Sequence, residues 1–168
     1  MRFNLVDRIL AIEPGRLIQA AKNLSLGEEY LADHFPGFPV MPGVLMLQTL
    51  AEAGAWLLRV TEDFQHSVVV LREAKNVKYG SFMEPGRQMI VTAELVEQEG
   101  PFATFRGKGE VGDQPTVSAR FTLLRYNLRD HDTALASVDE QIIAHLRRQY
   151  AVIGGDALRQ AAHGCVAS

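Results

Sequence analysis

Between residues 44 and 58 the apolar side chains surround the helical wheel instead of lining one stripe. The run reads Val44-Leu45-Met46-Leu47-Gln48-Thr49-Leu50-Ala51-Glu52-Ala53-Gly54-Ala55-Trp56-Leu57-Leu58. Such a pattern predicts a helix buried on most sides. Gln48 and Glu52 interrupt it, and it falls short of the about 20 apolar residues that a membrane span needs. Elsewhere the period is two. Met89, Val91, Ala93 and Leu95 alternate with Gln88, Thr92 and Glu94, and Val117, Ala119, Phe121 and Leu123 alternate with Thr116, Ser118, Arg120 and Thr122. Both stretches predict half-buried strands. A strand with weaker alternation is expected from Phe102 to Val111, with Gly100-Pro101 and Gly112-Asp113 as the turns beside it. Leu17 to Asn23, after Pro14-Gly15, is expected to be the first strand. The β-branched run Val68-Val69-Val70-Leu71 predicts a strand covered on both faces. One long helix followed by hairpin-linked strands implies an α+β fold.

The pattern changes beyond Arg125. Residues 127 to 136 are polar and turn-like, and Ser137-Val138-Asp139-Glu140 reads as a capping box that opens a helix. Ile142, Ile143, Leu146 and Tyr150 then form a one-sided apolar stripe, which predicts packing on the body or on a neighbouring subunit. Gly154-Gly155 is expected to end this helix, and the last dozen residues to be weakly ordered.

The chemistry concentrates just before the buried helix. His34-Phe35-Pro36-Gly37-Phe38-Pro39-Val40-Met41-Pro42-Gly43 carries three prolines and two glycines in ten residues. The prolines fix φ and restrict the residues before them, and the glycines permit tight turns and close ligand approach. This stiffness suits a loop that holds His34 still at the start of a helix. Gln48 and Glu52 lie one helical turn apart on a common face. A carboxylate on a buried helix is costly unless paired or protonated, and burial raises its pKa toward the range useful for a general acid.

These residues resemble the signature of the 3-hydroxyacyl-acyl-carrier-protein dehydratases of type II fatty-acid synthesis, His-Phe-Pro-Gly-x-Pro-x-x-Pro-Gly-Val-Leu. The similarity also takes in Leu5-Val6-Asp7-Arg8-Ile9-Leu10, Lys22-Asn23-Leu24, Asn76-Val77-Lys78-Tyr79 and Glu84-Pro85-Gly86, and so spans roughly residues 3 to 126. It implies a hot-dog fold, an antiparallel sheet wrapped around a central helix, followed here by a C-terminal helix. Three regions are then expected: a hot-dog acyl-thioester domain over 1–126, a linker and helical extension over 127–153, and a weakly ordered tail over 154–168.

By the same resemblance, His34 is the expected base at C2 of a 3-hydroxyacyl thioester. The backbone N–H near Gly43 binds the thioester oxygen, with Pro42, Val44, Met41 and Phe38 around the substrate. An acid group opposite holds the C3 hydroxyl. The family carries its catalytic Glu or Asp fourteen residues after the histidine and a Gln one turn later. Here the two types are exchanged, Gln48 standing at the acid position and Glu52 one turn on. Glu52, Gln48 and His34 are therefore the catalytic candidates. The implied reaction yields trans-2-enoyl thioesters. The alternatives are a hot-dog thioesterase and an acyl-thioester-binding module without dehydratase activity. The resemblance further implies an acyl carrier protein as partner and a homodimer or dimer-based hexamer.

Composition narrows this only a little. The 168 residues suit one domain, with 47% hydrophobic and 22% charged residues. A net charge of −3 argues against broad nucleic-acid affinity. The one cysteine, Cys165, offers no disulfide framework and no metal-ligand spacing, so no metal or cofactor is expected and a cytoplasmic setting is the simpler reading. The first residues show no leader pattern, and no membrane span is expected. His66, His131, His145 and His163 sit in unrelated contexts and are expected at the surface. Asp33 reads as a turn residue and Trp56 as core. Lys75, Lys78, Arg87 and Arg106 are candidates for contact with an acidic carrier.

Overall fold

The computed structural model describes residues 4–154. Six strands run in chain order: β1 (Arg8–Glu13), β2 (Leu17–Asn23), β3 (Val68–Tyr79), β4 (Gln88–Glu99), β5 (Phe102–Val111) and β6 (Gln114–Tyr126). They form one antiparallel sheet in the order β1-β2-β4-β5-β6-β3. Helix α1 (Gly43–Thr61) packs against β2 through β6. The period-two positions supply the sheet's side of the core: Ile18 and Ala20 from β2, Val91 and Ala93 from β4, Phe105 from β5, Phe121 and Leu123 from β6. Leu50, Ala53, Trp56 and Leu57 of α1 are all buried against them, which is why its apolar residues run round the wheel.

Gly54 in mid-helix lets the two layers close. A Cβ there would stand 3.1 Å from Phe121 Cε2 and 3.3 Å from Leu123 Cδ1. The usual cost of a helical glycine, about 0.5–1 kcal/mol, is offset by this close approach.

Three expectations need correction. The first strand is β1, not β2. Its apolar alternation is broken by a register shift between Ile9 and Ala11, so a period-two reading passes over it. Val68–Leu71 opens a strand of 12 residues. That strand is the edge of the sheet and is not covered on both faces, for Val70 is 43% exposed. The third concerns Ser137-Val138-Asp139-Glu140, which does not open a helix as a capping box. Helix α2 spans Ala136–Val152, and no side chain caps its start. Asp139 instead turns back, accepting the N–H of Leu128 (2.9 Å) and of Arg129 (3.0 Å) together with the Ser67 hydroxyl. A capping box does occur earlier, between Asn127 and Asp130 on a short 3-10 turn.

The stripe on α2 packs on the body as its spacing implies. Tyr150 is buried, its ring 6.0 Å from Trp56 and 5.8 Å from Phe64, and Ile143 and Leu146 lie against the same core. Arg147 reaches Asp63 and stacks its guanidinium 4.6 Å from the Phe64 ring centre. The helix stops at Val152, with Gly154 at φ +98°. The tail expected to be weakly ordered lies outside the described residues. No helix among those described is long and apolar enough to cross a membrane.

Candidate active site

The loop from His34 to Pro42 is tied down almost residue by residue. His34 N–H donates to Tyr30 O (3.1 Å), Phe35 and Phe38 exchange backbone bonds (3.1 and 2.9 Å), and Val40 N–H returns to His34 O (3.0 Å). Gly37 takes φ +85°, which the tight turn requires and a side chain would oppose. Met41 N–H then donates to Met83 O (2.9 Å) and fastens the loop to the segment before β4. The half-buried imidazole of His34 stands 3.0 Å from Val40 O through Nδ1. A carbonyl oxygen only accepts, so this network assigns the proton to Nδ1 and leaves the Nε2 lone pair free to take a proton.

The start of α1 lies beside this ring. Pro42 is its cap residue (φ −56°), and no side chain caps the helix. Leu45 and Met46 N–H both return to Pro42 O (2.9 and 3.2 Å), so the first turn presents the N–H groups of Gly43 and Val44 without a capping acceptor among the described residues. Together with the helix dipole they favour a developing negative charge. His34, Met41, Pro42, Gly43 and Val44 line one cleft of about 480 Å³. Phe38 is not among the residues that line it, but its ring meets the cleft residue Phe82 edge-on at 5.7 Å.

Sequence reasoning missed the far wall, made by Tyr79, Gly80, Ser81, Phe82 and Thr116. The pairing of Tyr79 with Val117 brings these segments together, and nothing local in the sequence announces it. It also changes the reading of Gly43. A Cβ there would stand 2.9 Å from Tyr79 Cε1, so the missing side chain accommodates the Tyr79 ring.

Gln48 and Glu52 face a different cleft of about 430 Å³, which Arg59 and Trp56 also line. Gln48 is exposed, whereas the Glu52 carboxylate accepts the N–H of Leu5 at 2.8 Å. Burial pushes the Glu52 carboxyl above its ordinary range, and the N–H groups of Leu5 and Val6, the Trp56 side chain and the Arg59 charge pull against that. Arg59 is pushed down to about 10 by burial, with Glu52 opposing. Within one chain, then, His34 and the Gln48/Glu52 pair belong to separate clefts. Among the other histidines, His66 is half-buried beside Glu62 (3.1 Å), a surface expectation only partly met. His131 and His145 are exposed, and His163 lies outside the described residues.

Comparison with known proteins identifies the family and the fold. The model of the FabA-like domain family matches residues 1–120. The chain is 40% identical over 124 residues to a 3-hydroxyacyl-[acyl-carrier-protein] dehydratase FabZ of Albidiferax ferrireducens, covering 71% of this chain and 82% of that one. A protein of the same name from Wolbachia pipientis wMel is 34% identical over 125 residues, covering 74% and 87%. Among solved structures, one similar chain is described as the dehydratase heterocomplex ApeI:P from Xenorhabdus doucetiae. It has a TM-score of 0.64 at 14% identity and covers 79% of this chain and 89% of that one. A hot-dog-like protein from Thermanaerovibrio acidaminovorans gives a TM-score of 0.59 at 13% identity, covering 74% and 90%. The six-stranded sheet on a central helix is thus a hot-dog fold.

Proposed function

The chain belongs to the FabA-like domain family, and from that premise we propose that it dehydrates 3-hydroxyacyl thioesters on acyl carrier protein to trans-2-enoyl thioesters. The observation that carries the reading is His34, held through Nδ1 by Val40 O beside an uncapped helix start in a cleft of about 480 Å³.

In this reading the thioester oxygen accepts from the N–H groups of Gly43 and Val44, which stabilise the enolate as it develops. His34 Nε2 takes the C2 proton. The C2–H electron pair becomes the C2=C3 bond, the C3–O bond breaks, and the same proton returns from His34 to the departing oxygen to make water. Phe38, Met41, Pro42 and Val44 hold the acyl chain. One imidazole thus carries both proton steps, and a polar side chain opposite need only orient the hydroxyl.

The exposed Gln48 suits that orienting task from a second copy of the chain, since within one chain it does not line the His34 cleft. Glu52 is engaged by the backbone of Leu5, so its role here is to anchor the N-terminal segment. The free edge of β3 offers the second copy a place to pair, giving a homodimer. Lys78, next to the cleft residue Tyr79, and Arg87 are exposed and suit an acidic carrier. A cytoplasmic setting fits a substrate carried in this way.

The test is direct. His34→Ala should fold normally and lose at least about a hundredfold in turnover of a 3-hydroxyacyl carrier-protein substrate, the usual scale for general acid–base loss. Near-normal turnover by the folded variant would remove His34 from the mechanism, and free acid in place of enoyl product would make the protein a thioesterase.

A further inference from the structure

The second cleft contains a charge with no carboxylate at ion-pair distance among the described residues. Gln48, Glu52, Ala55 and Arg59 recur along α1 at spacings of four, three and four residues, which sets them on one face of the helix. That face forms one wall of the cleft of about 430 Å³, and Asn4 and Gln149 bring amides to it from the two ends of the chain. The volume falls in the range typical of small-molecule sites.

Arg59 stands out on this wall. Its Nε is buried and has no hydrogen-bond partner. Among the described residues no carboxylate lies within ion-pair distance of its guanidinium, whose close neighbour is the Trp56 ring at 5.1 Å. Glu52 influences it only from farther away and spends its own oxygens on the backbone of Leu5 and Val6. Taking an arginine out of water without a close counter-ion is unfavourable, as its lowered pKa reflects. Arg125 makes the contrast, for its Nε rests 2.8 Å from Glu62.

We propose that this cleft is a binding site for a carboxylate borne on an apolar body, with the Arg59 guanidinium as the counter-ion and the Gln149 and Asn4 amides as further hydrogen-bond donors. Ala51, Ala55, Trp56 and Leu146 supply the apolar wall. Arginine suits the task because its planar fork meets a carboxylate with two parallel hydrogen bonds. The carboxylate has two possible sources, a free small carboxylic acid or the far end of an acyl chain that carries a terminal carboxyl group. Within one chain the site stands apart from the His34 cleft; the acyl-chain source rests on the dehydratase reading, and the free-acid source does not.

Calorimetric titration of the full chain with octanoate, octanamide and octanol at neutral pH tests the site without any turnover. Octanoate should bind at least about tenfold more tightly than either neutral analogue, as expected for a charge-assisted pair. Arg59→Met should abolish that preference while melting no lower than wild type, since it removes a largely desolvated charge that has no close counter-ion. Arg59→Lys should keep part of it. Competition of bound octanoate by a 3-hydroxyacyl thioester with a terminal carboxylate, but not by its methyl-ended counterpart, would assign the acyl source; competition by neither would assign the free acid. Equal binding of octanoate and octanamide, no saturable octanoate binding, or an Arg59→Met protein that still prefers octanoate would overturn the proposal. A chain inactive as a dehydratase that still shows the Arg59-dependent preference would sink only the dehydratase reading.

Discussion

Glu52 separates an anchoring role from an acid role, because the two respond differently to the same substitutions. Replacing it with Ala removes the acceptor of the Leu5 N–H (2.8 Å) and of the Val6 N–H. Each orphaned donor costs about 1–3 kcal/mol, and the adjoining cleft lets water soften the loss. A total of about 2–4 kcal/mol follows, and at about 2–4 °C per kcal/mol for a chain of this length Glu52→Ala should melt about 4–16 °C lower. Glu52→Gln keeps one carbonyl oxygen as acceptor and sheds the buried charge, so its melting point should stay near that of wild type. Its stability should also lose a pH dependence. Burial raises the folded-state pKa of Glu52, so the folded protein binds more protons than the unfolded chain. Wild type must then lose stability as pH rises from the ordinary Glu value through the raised one, and Glu52→Gln should lack that slope. Differential scanning calorimetry across pH, with turnover measured on the same samples, reads all of this. Turnover of Glu52→Gln within about tenfold of wild type is expected. A loss of about a hundredfold or more at unchanged melting temperature would refute the reasoning and make Glu52 the acid.

Three further outcomes follow. Gln48→Glu should raise dehydratase turnover, since it places an acid at the position where the resemblance implies one; unchanged or lower turnover counts against Gln48 as the group that faces the substrate. The open edge of β3 should make the protein at least a dimer at micromolar concentration, and Val70→Lys, a charge set at 43% exposure on that edge strand, should give a monomer by sedimentation. An active wild-type monomer would contradict the shared site. Asp139→Ala should loosen α2 and lower the melting temperature. Burial pushes the Asp139 carboxyl up, but the Ser67 hydroxyl and the N–H groups of Arg129 and Leu128 together bring it below its ordinary range. Its stabilisation is therefore present above the ordinary Asp value and lost as pH falls through the folded-state one, so the variant should differ less from wild type in acid than at neutral pH.

Local pattern determined a good deal by itself. The all-round apolar run gave the buried helix, alternation gave β4 and β6, and the proline–glycine loop with His34 marked the candidate site before any strand had a neighbour. Those signals are legible because each depends on residues within one or two turns of each other. Four matters were decided only in three dimensions. The bulge in β1 hides its period, and the edge position of β3 leaves a β-branched run exposed, since an edge is a property of the sheet and not of the strand. Asp139 sits where a capping box is expected, yet its partners Ser67, Leu128 and Arg129 lie elsewhere in the chain. Most consequential, Gln48 and Glu52 share a face as their spacing requires, but which cleft that face lines is set by how α1 packs on the sheet. Spacing fixes the side of a helix; only the surrounding layers decide what that side meets.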